Sequence, residues 1–193
     1  YDLKGMIDWA ASTHQRILQL LPINDTTMTH TWTDSYPYNA NSTFALHPMF
    51  MRVTELGELA DAGRMDYYKS LADELNALPT VDYERVNEAK TSYMREIYAQ
   101  SGAATLASED YKNFVSRNSG WLLPYAAFCA LRDQFGTPDF TKWGEYATYS
   151  PKVLDKARAA HAAEIDFVCY IQYHLDRQMR HVHDYAASKG VAL

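Results

Sequence analysis

The fold of this chain is constrained most tightly at one junction near its start. The short apolar run Ile17-Leu18-Gln19-Leu20-Leu21-Pro22 lacks the alternation of a half-exposed strand. A run of that kind reads as a parallel strand covered on both faces. Ile23-Asn24-Asp25 then turns outward, and residues 26–33 form a Thr-rich loop carrying His30 and Trp32. The segment Asp34–Pro48 follows, bracketed by Pro37 and Pro48. Proline lacks an N–H and restricts the residue before it, so no regular helix crosses this segment. A buried strand that empties into a Tyr-, Ser- and Asn-rich loop is how an α/β barrel presents a ligand-facing surface.

Elsewhere the periodicity is helical. Leu3, Ile7 and Ala10, joined by Met6, predict a short helix over Leu3–Thr13. A brief helix is expected over Glu55–Leu59. Longer ones are expected over Met65–Leu78, over Asp82–Ser101 with a stop at Gly102, and from Ser108 to Gly120. Ser108 with Glu109 and Asp110 has the chemistry of a helix start. Trp121, Tyr125, Phe128, Leu131 and Phe135 form an aromatic stripe, which continuous i, i+3, i+4 apolarity assigns to core rather than to a ligand. Pro151 opens a helix that runs to Ser188 with a break near His161, and Lys189-Gly190 stops it. Val191-Ala192-Leu193 then reads as the start of a second strand.

The order of helix, strand, helical excursion, long helix and strand start predicts a mainly α piece of a (β/α)8 barrel. It would hold one or two barrel strands and an inserted all-helical subdomain. Residues 1–53 are the barrel helix, strand and substrate-facing loop. Residues 54–150 are the insert, and residues 151–193 are the helix returning to the barrel with the next strand's first residues. The first residue is not Met and the last run stops where a strand should begin, so the chain reads as part of a longer protein. A strand without its neighbours has open edges, and self-association of the isolated piece is expected.

Composition excludes several classes. The formal charge is −6 with acids and bases interspersed, which argues against nucleic acid, whose phosphates need a basic stripe. No run is apolar enough for a membrane span, and no signal peptide is visible. Cys129 and Cys169 sit in apolar helical patterns and read as buried thiols; a cytoplasmic location is the expectation. The content of 15 Tyr and 4 Trp exceeds what a helical core needs; such rings stack on the C–H faces of sugars, although any single Tyr is better read as lining a helix–helix contact with its hydroxyl in water.

Three blocks in order carry a resemblance. They are Gln19-Leu20-Leu21-Pro22-Ile23-Asn24-Asp25 with Asp34-Ser35-Tyr36-Pro37-Tyr38 and Phe44-Ala45-Leu46-His47-Pro48; Trp121-Leu122-Leu123-Pro124-Tyr125-Ala126-Ala127-Phe128 with Trp143; and Glu164-Ile165-Asp166-Phe167 through Gln172 and Gln178 to Tyr185-Ala186. Together they resemble the 4-α-glucanotransferases of glycoside hydrolase family 77, the amylomaltases and disproportionating enzymes, and most of all the plant-cytosolic and Bacteroidetes type. The resemblance implies a retaining enzyme that moves α-1,4-glucan segments between maltooligosaccharides without a cofactor. It implies a substrate-binding role for Tyr38, which matches a sugar-contacting Tyr, and for Ser35 beside it, with Asn24, Asp25, Asn39 and Trp32 from the same rim. The family's three catalytic carboxylates belong to later barrel strands, and no acid here matches them. The chain is therefore expected to hold no catalytic residue and no transferase activity of its own, and to supply part of a glucan-binding wall beside the remainder of the barrel.

Other constellations carry less. His181 and His183 are i, i+2 on a helix and point apart, so no metal site is expected. Glu164 and Asp166 diverge in the same way. Gln172 and Gln178 would either orient neighbouring loops or serve as polar helix surface. The rival readings are a non-catalytic helical module that binds carbohydrate or protein, and a plain helical scaffold.

Overall fold

The computed structural model describes residues 2–193. Six α-helices carry it: α1 Asp2–Ser12, α2 Ala62–Asn76, α3 Tyr83–Ala107, α4 Glu109–Phe135, α5 Pro151–Ala160 and α6 Ala162–Ser188. Most starts follow local chemistry. Asp61, Asp82, Ser108 and Ser150 each accept a hydrogen bond from a first-turn N–H, satisfying a donor that the helix itself cannot. Gly136 closes α4 in the left-handed region, φ 63°, a backbone conformation that L side chains rarely adopt although the space around it is open.

α6 is the spine. It packs along α4, and also meets α1, α3 and α5. Between Ile165 and Leu175 it is buried nearly all round, broader than the single stripe its sequence suggests. The reason is that α3, α4 and the loop before α2 cover it from different sides. Tyr111, Phe114, Leu122, Ala126, Trp143, Ile165 and Tyr173 form the main core between α4 and α6. Met51, Met94, Phe167, Tyr170 and Leu175 form a second one. α1 seats Ile7 and Ala10 on Ala186 and Val191 at the far end of α6.

Two expected stops are absent. α3 passes through Gly102, where a Cβ would lie 2.5 Å from the Tyr98 ring; glycine lets that ring fold back and meet Phe167 and Tyr170. α4 passes through Gly120 and Pro124. A proline inside a helix costs roughly 3 kcal/mol. Burial of Leu122, Tyr125 and Leu131, each worth about 1.5–3 kcal/mol, outweighs it. The break expected near His161 is present: its φ of −126° and ψ of 33° separate α5 from α6. The brief helix expected at Glu55–Leu59 is instead a single 3-10 turn, Val53–Glu55.

The expectation of one or two barrel strands is overturned. Among the described residues there is no strand and no sheet, only two isolated bridges, Ile17 to Ala192 and Asn24 to Leu46. Leu18 N–H donates to Ala192 and Ala192 N–H donates to Arg16, both at 2.8 Å, and the pairing goes no further. Ile17 is 72% and Leu21 63% exposed, so the apolar run is not covered on both faces. A strand exists through ladder partners along its length, and this run has a partner at one point only.

Both thiols are free and buried, and burial pushes each up to about 12, so neither is a nucleophile at neutral pH. His174 on α6 lies against the rings of Tyr170 and Tyr173, at 4.4 and 5.1 Å, with no partner for its Nε2. Burial, aided by Arg177, lowers it from 6.5 to about 4. The unfolded chain then binds this proton first as pH falls, so stability present above about pH 6.5 is lost toward pH 4. Urea midpoints measured across that range should drop, and His174→Phe should flatten the slope; an unchanged slope refutes the assignment.

Candidate functional site

Residues 23–52 form an irregular surface loop that contains the segment 34–48 singled out by the sequence, and its backbone is closed on itself. Asp25 N–H donates to Ala45 at 2.9 Å and His47 N–H donates to Ile23 at 3.0 Å. Asn41 N–H donates to the Asp25 carbonyl at 2.9 Å, which brings the two ends of residues 25–41 together as an Ω-type loop.

Two buried carboxylates organise it. Asp34 accepts three successive backbone N–H groups at Oδ2, from Met28, Thr29 and His30 at 3.0, 2.8 and 2.7 Å. Thr26, itself buried, donates its hydroxyl to the Asp34 carbonyl. Asp25 is 1% exposed. Its Oδ1 accepts from the N–H and hydroxyl of Thr27 at 3.0 and 2.6 Å. Its Oδ2 accepts from Asn41 Nδ2 at 3.1 Å and from the Tyr125 hydroxyl at 2.8 Å. Buried charges need such partners, and here the donors are nearly all supplied by the loop.

The helices hold the loop from behind. On α4, burial together with Cys129 and Asp25 pushes the Tyr125 phenol well above its ordinary value, so it stays a donor. Two turns further, the buried Arg132 donates to the Thr27 carbonyl at 2.6 Å and forks onto Asp133 at 2.7 and 3.1 Å. Asp133 also meets His30 Nε2 at 2.9 Å. Burial raises the Asp133 carboxyl, but bonds from His30 and Arg132 outweigh this and hold it below the ordinary range. On α6, Gln172 pairs with both backbone groups of Leu46 at 2.9 and 2.8 Å, and Gln178 does the same for Arg52 at 2.9 and 3.1 Å. Of the two roles open to these glutamines, the structure gives them loop orientation. On α3, Lys90 donates to the carbonyls of Met49 and Met51 at 2.5 and 3.1 Å, and burial lowers its pKa. Burial also lowers that of His47, which accepts the Met49 N–H at Nδ1 and so presents Nε2–H to the Tyr83 hydroxyl at 2.8 Å.

What this frame exposes is aromatic and polar. Tyr36 and Tyr38 are 61% and 63% exposed, with centroids 5.6 Å apart and planes tilted by 58°. Trp32 is exposed, its backbone N–H donating to Glu84 Oε1 at 3.0 Å, and Ser35 and Asn39 face solvent nearby in the chain. Asn24 is half-buried at the bridge. Asp25 differs from the other five candidates: it points inward and has no surface to offer. Sequence reasoning missed Asp34, Asn41, Tyr125 and Arg132. The signal for Arg132 was a charge beside Leu131 in an apolar stripe; Tyr125 was hidden among core rings.

No three His, Cys, Asp or Glu side chains among the described residues are placed to hold a metal ion. The sequence family described as 4-alpha-glucanotransferase, glycoside hydrolase 77, matches residues 1–193. The chain belongs to this family. Among 4-alpha-glucanotransferases, "4-alpha-glucanotransferase DPE2" of Oryza sativa subsp. japonica is 40% identical over the whole chain, which covers 20% of the rice protein. The "4-alpha-glucanotransferase" of Chlamydia muridarum is 30% identical over 98% of the chain and 35% of its own length. In fold, the chain is similar to the amylomaltase from Streptococcus agalactiae solved in complex with acarbose. The TM-score is 0.75 at 19% identity, over 99% of this chain and 37% of that one. The chain thus spans about a fifth to a little over a third of the length of these relatives.

Proposed function

We propose that this chain is part of a retaining 4-α-glucanotransferase, and that its braced loop supplies part of the wall along which an α-1,4-glucan lies. Membership of the family along the full chain carries the reading, and the exposed Tyr36–Tyr38 pair on a tethered loop supports it. Tyr38 stacks on a sugar ring, Ser35 and Asn39 meet glucose hydroxyls, and Trp32 and Asn24 extend the rim. Asp25 serves through the loop rather than through the sugar. Residues 54–150 act as a helical insert that backs the loop, between the loop-bearing residues 1–53 and the returning helices of 151–193.

In this reading one carboxylate attacks the anomeric carbon while another protonates the leaving oxygen. A sugar hydroxyl, deprotonated by that same group, then takes the glycosyl unit back with net retention. Those carboxylates belong to polypeptide outside these residues, and no cofactor takes part. Maltooligosaccharides are donor and acceptor. A cytoplasmic location fits this substrate, and no described helix is long and apolar enough to cross a membrane.

The test is maltotriose disproportionation by the 193-residue chain and by the longer protein containing it, side by side. Glucose and maltopentaose should appear only with the longer protein. Exchange by the chain alone, or none by the longer protein, overturns the reading. Met6, Trp9, Ile17 and Leu21 are all 46–72% exposed, so copies of the isolated chain should associate through them. Sedimentation of the same sample as a clean monomer would count against that.

A further inference from the structure

We propose that Tyr125, in the interior of α4, is a positioning residue for glucan binding: its hydroxyl locks the clasp that sets where the Tyr36–Tyr38 rim stands. The inference rests on the functional reading above and adds a residue that touches no sugar. Asp25 is the clasp because it joins both ends of the rim loop. Its N–H is bound to Ala45, its carbonyl to Asn41, and its carboxylate to Thr27 and Asn41. Among the described residues, the Tyr125 hydroxyl is the group outside the loop that bonds this carboxylate.

Arg132 lies seven positions further along α4, hence on the same face, and holds the Thr27 carbonyl. α4 therefore grips the loop at two points beside its closure, and is itself fixed by Leu122, Ala126 and Ala130 in the main core. Tyr125 is 7% exposed and packs against Ala45 and Cys129, so its ring is seated independently of its hydroxyl. The rim side chains themselves are mostly exposed and have little packing of their own. Their placement is inherited from the clasp. Loosening it spreads the rim over several positions and weakens binding in ground state and transition state alike, while the bond exchange itself is untouched.

Tyr125→Phe in the longer protein deletes one hydroxyl and keeps the ring. A lost hydrogen bond to a buried carboxylate is worth about a tenfold change. The KM for maltotriose should rise about tenfold with kcat within about twofold. Ile97→Val, a core change on α3 away from the loop, should lower the melting temperature by about 2–4 °C, as the lost hydrogen bond in Tyr125→Phe should, and leave KM alone. Hydrogen exchange in the same proteins gives a readout independent of turnover. The amides of Asp25 and Asn41 should exchange about tenfold faster in Tyr125→Phe, with the amides of α2 unchanged. An unaltered KM, an equal KM shift in Ile97→Val, or unaltered exchange at Asp25 and Asn41 each overturns the proposal. Absence of turnover in the unmodified protein would defeat the functional reading alone, and the exchange measurement would still decide this one.

Discussion

Tyr38→Ala in the longer protein should reduce kcat/KM for maltotriose by about tenfold or more while leaving the melting temperature within a degree or two. The two halves of this expectation have separate causes. The ring is 63% exposed and its described ring contact is the tilted one with Tyr36, so removing it opens no cavity. A flat apolar face held in water by a braced loop is, however, the surface a glucose ring can cover. Tyr38→Phe should retain most of the activity if stacking dominates and lose it if the hydroxyl is the contact. Unchanged turnover in Tyr38→Ala would defeat the assignment of this residue.

Asp25→Ala should act in the opposite sense, on stability first. It removes the acceptor of four hydrogen bonds at once, from the N–H and hydroxyl of Thr27, Asn41 Nδ2 and the Tyr125 hydroxyl; only Asn41 Nδ2 keeps a second acceptor, the Thr27 carbonyl at 3.0 Å. Losing the bond to the buried Tyr125 hydroxyl and three to half-buried Thr27 and Asn41 costs on the order of 3–5 kcal/mol in total. For a chain of this size that is a fall of about 10 °C in melting temperature. Asp25→Asn keeps the volume and one acceptor oxygen and should cost less. Scanning calorimetry of the three proteins decides it, and an Asp25→Ala protein as stable as the original would show that the clasp is not where the loop's stability resides.

Several features were legible because they depend on neighbours in the chain. Ser108 before two acids, Pro151 at a helix start and Gly190 after a helix end all act within one helical turn, so local sequence is sufficient. The irregular course of residues 34–48 follows from its prolines in the same way. The break at His161 was readable from the excessive length of the pattern. Gly102 and Gly120 misled because a glycine is a stop only where nothing distant rewards continuing. Tyr98 folds over the first, and the α4–α6 core carries the helix past the second.

The rim was readable as a set of residue types, since Tyr, Ser and Asn beside prolines name both a loop and its chemistry. Its support was not. Asp25 and Asp34 look alike in sequence to Asn39 or Ser35, and only burial separates an inward carboxylate from an outward polar group. Gln172 and Gln178 make their bonds to residues 126 positions away, a relation no local pattern encodes.

The sequence by itself determined most of the helical segments, the prolines' loop that cannot be helical, and which family the chain belongs to. These follow from periodicity, backbone restriction and ordered motifs, all carried by near neighbours. Tertiary structure alone decided that Ile17–Pro22 lacks a ladder, that α6 is covered on several sides, and that Asp25 faces inward to Tyr125. Strand formation, burial and hydrogen-bond pairing belong to groups brought together across long separations, and become definite only when the partners arrive.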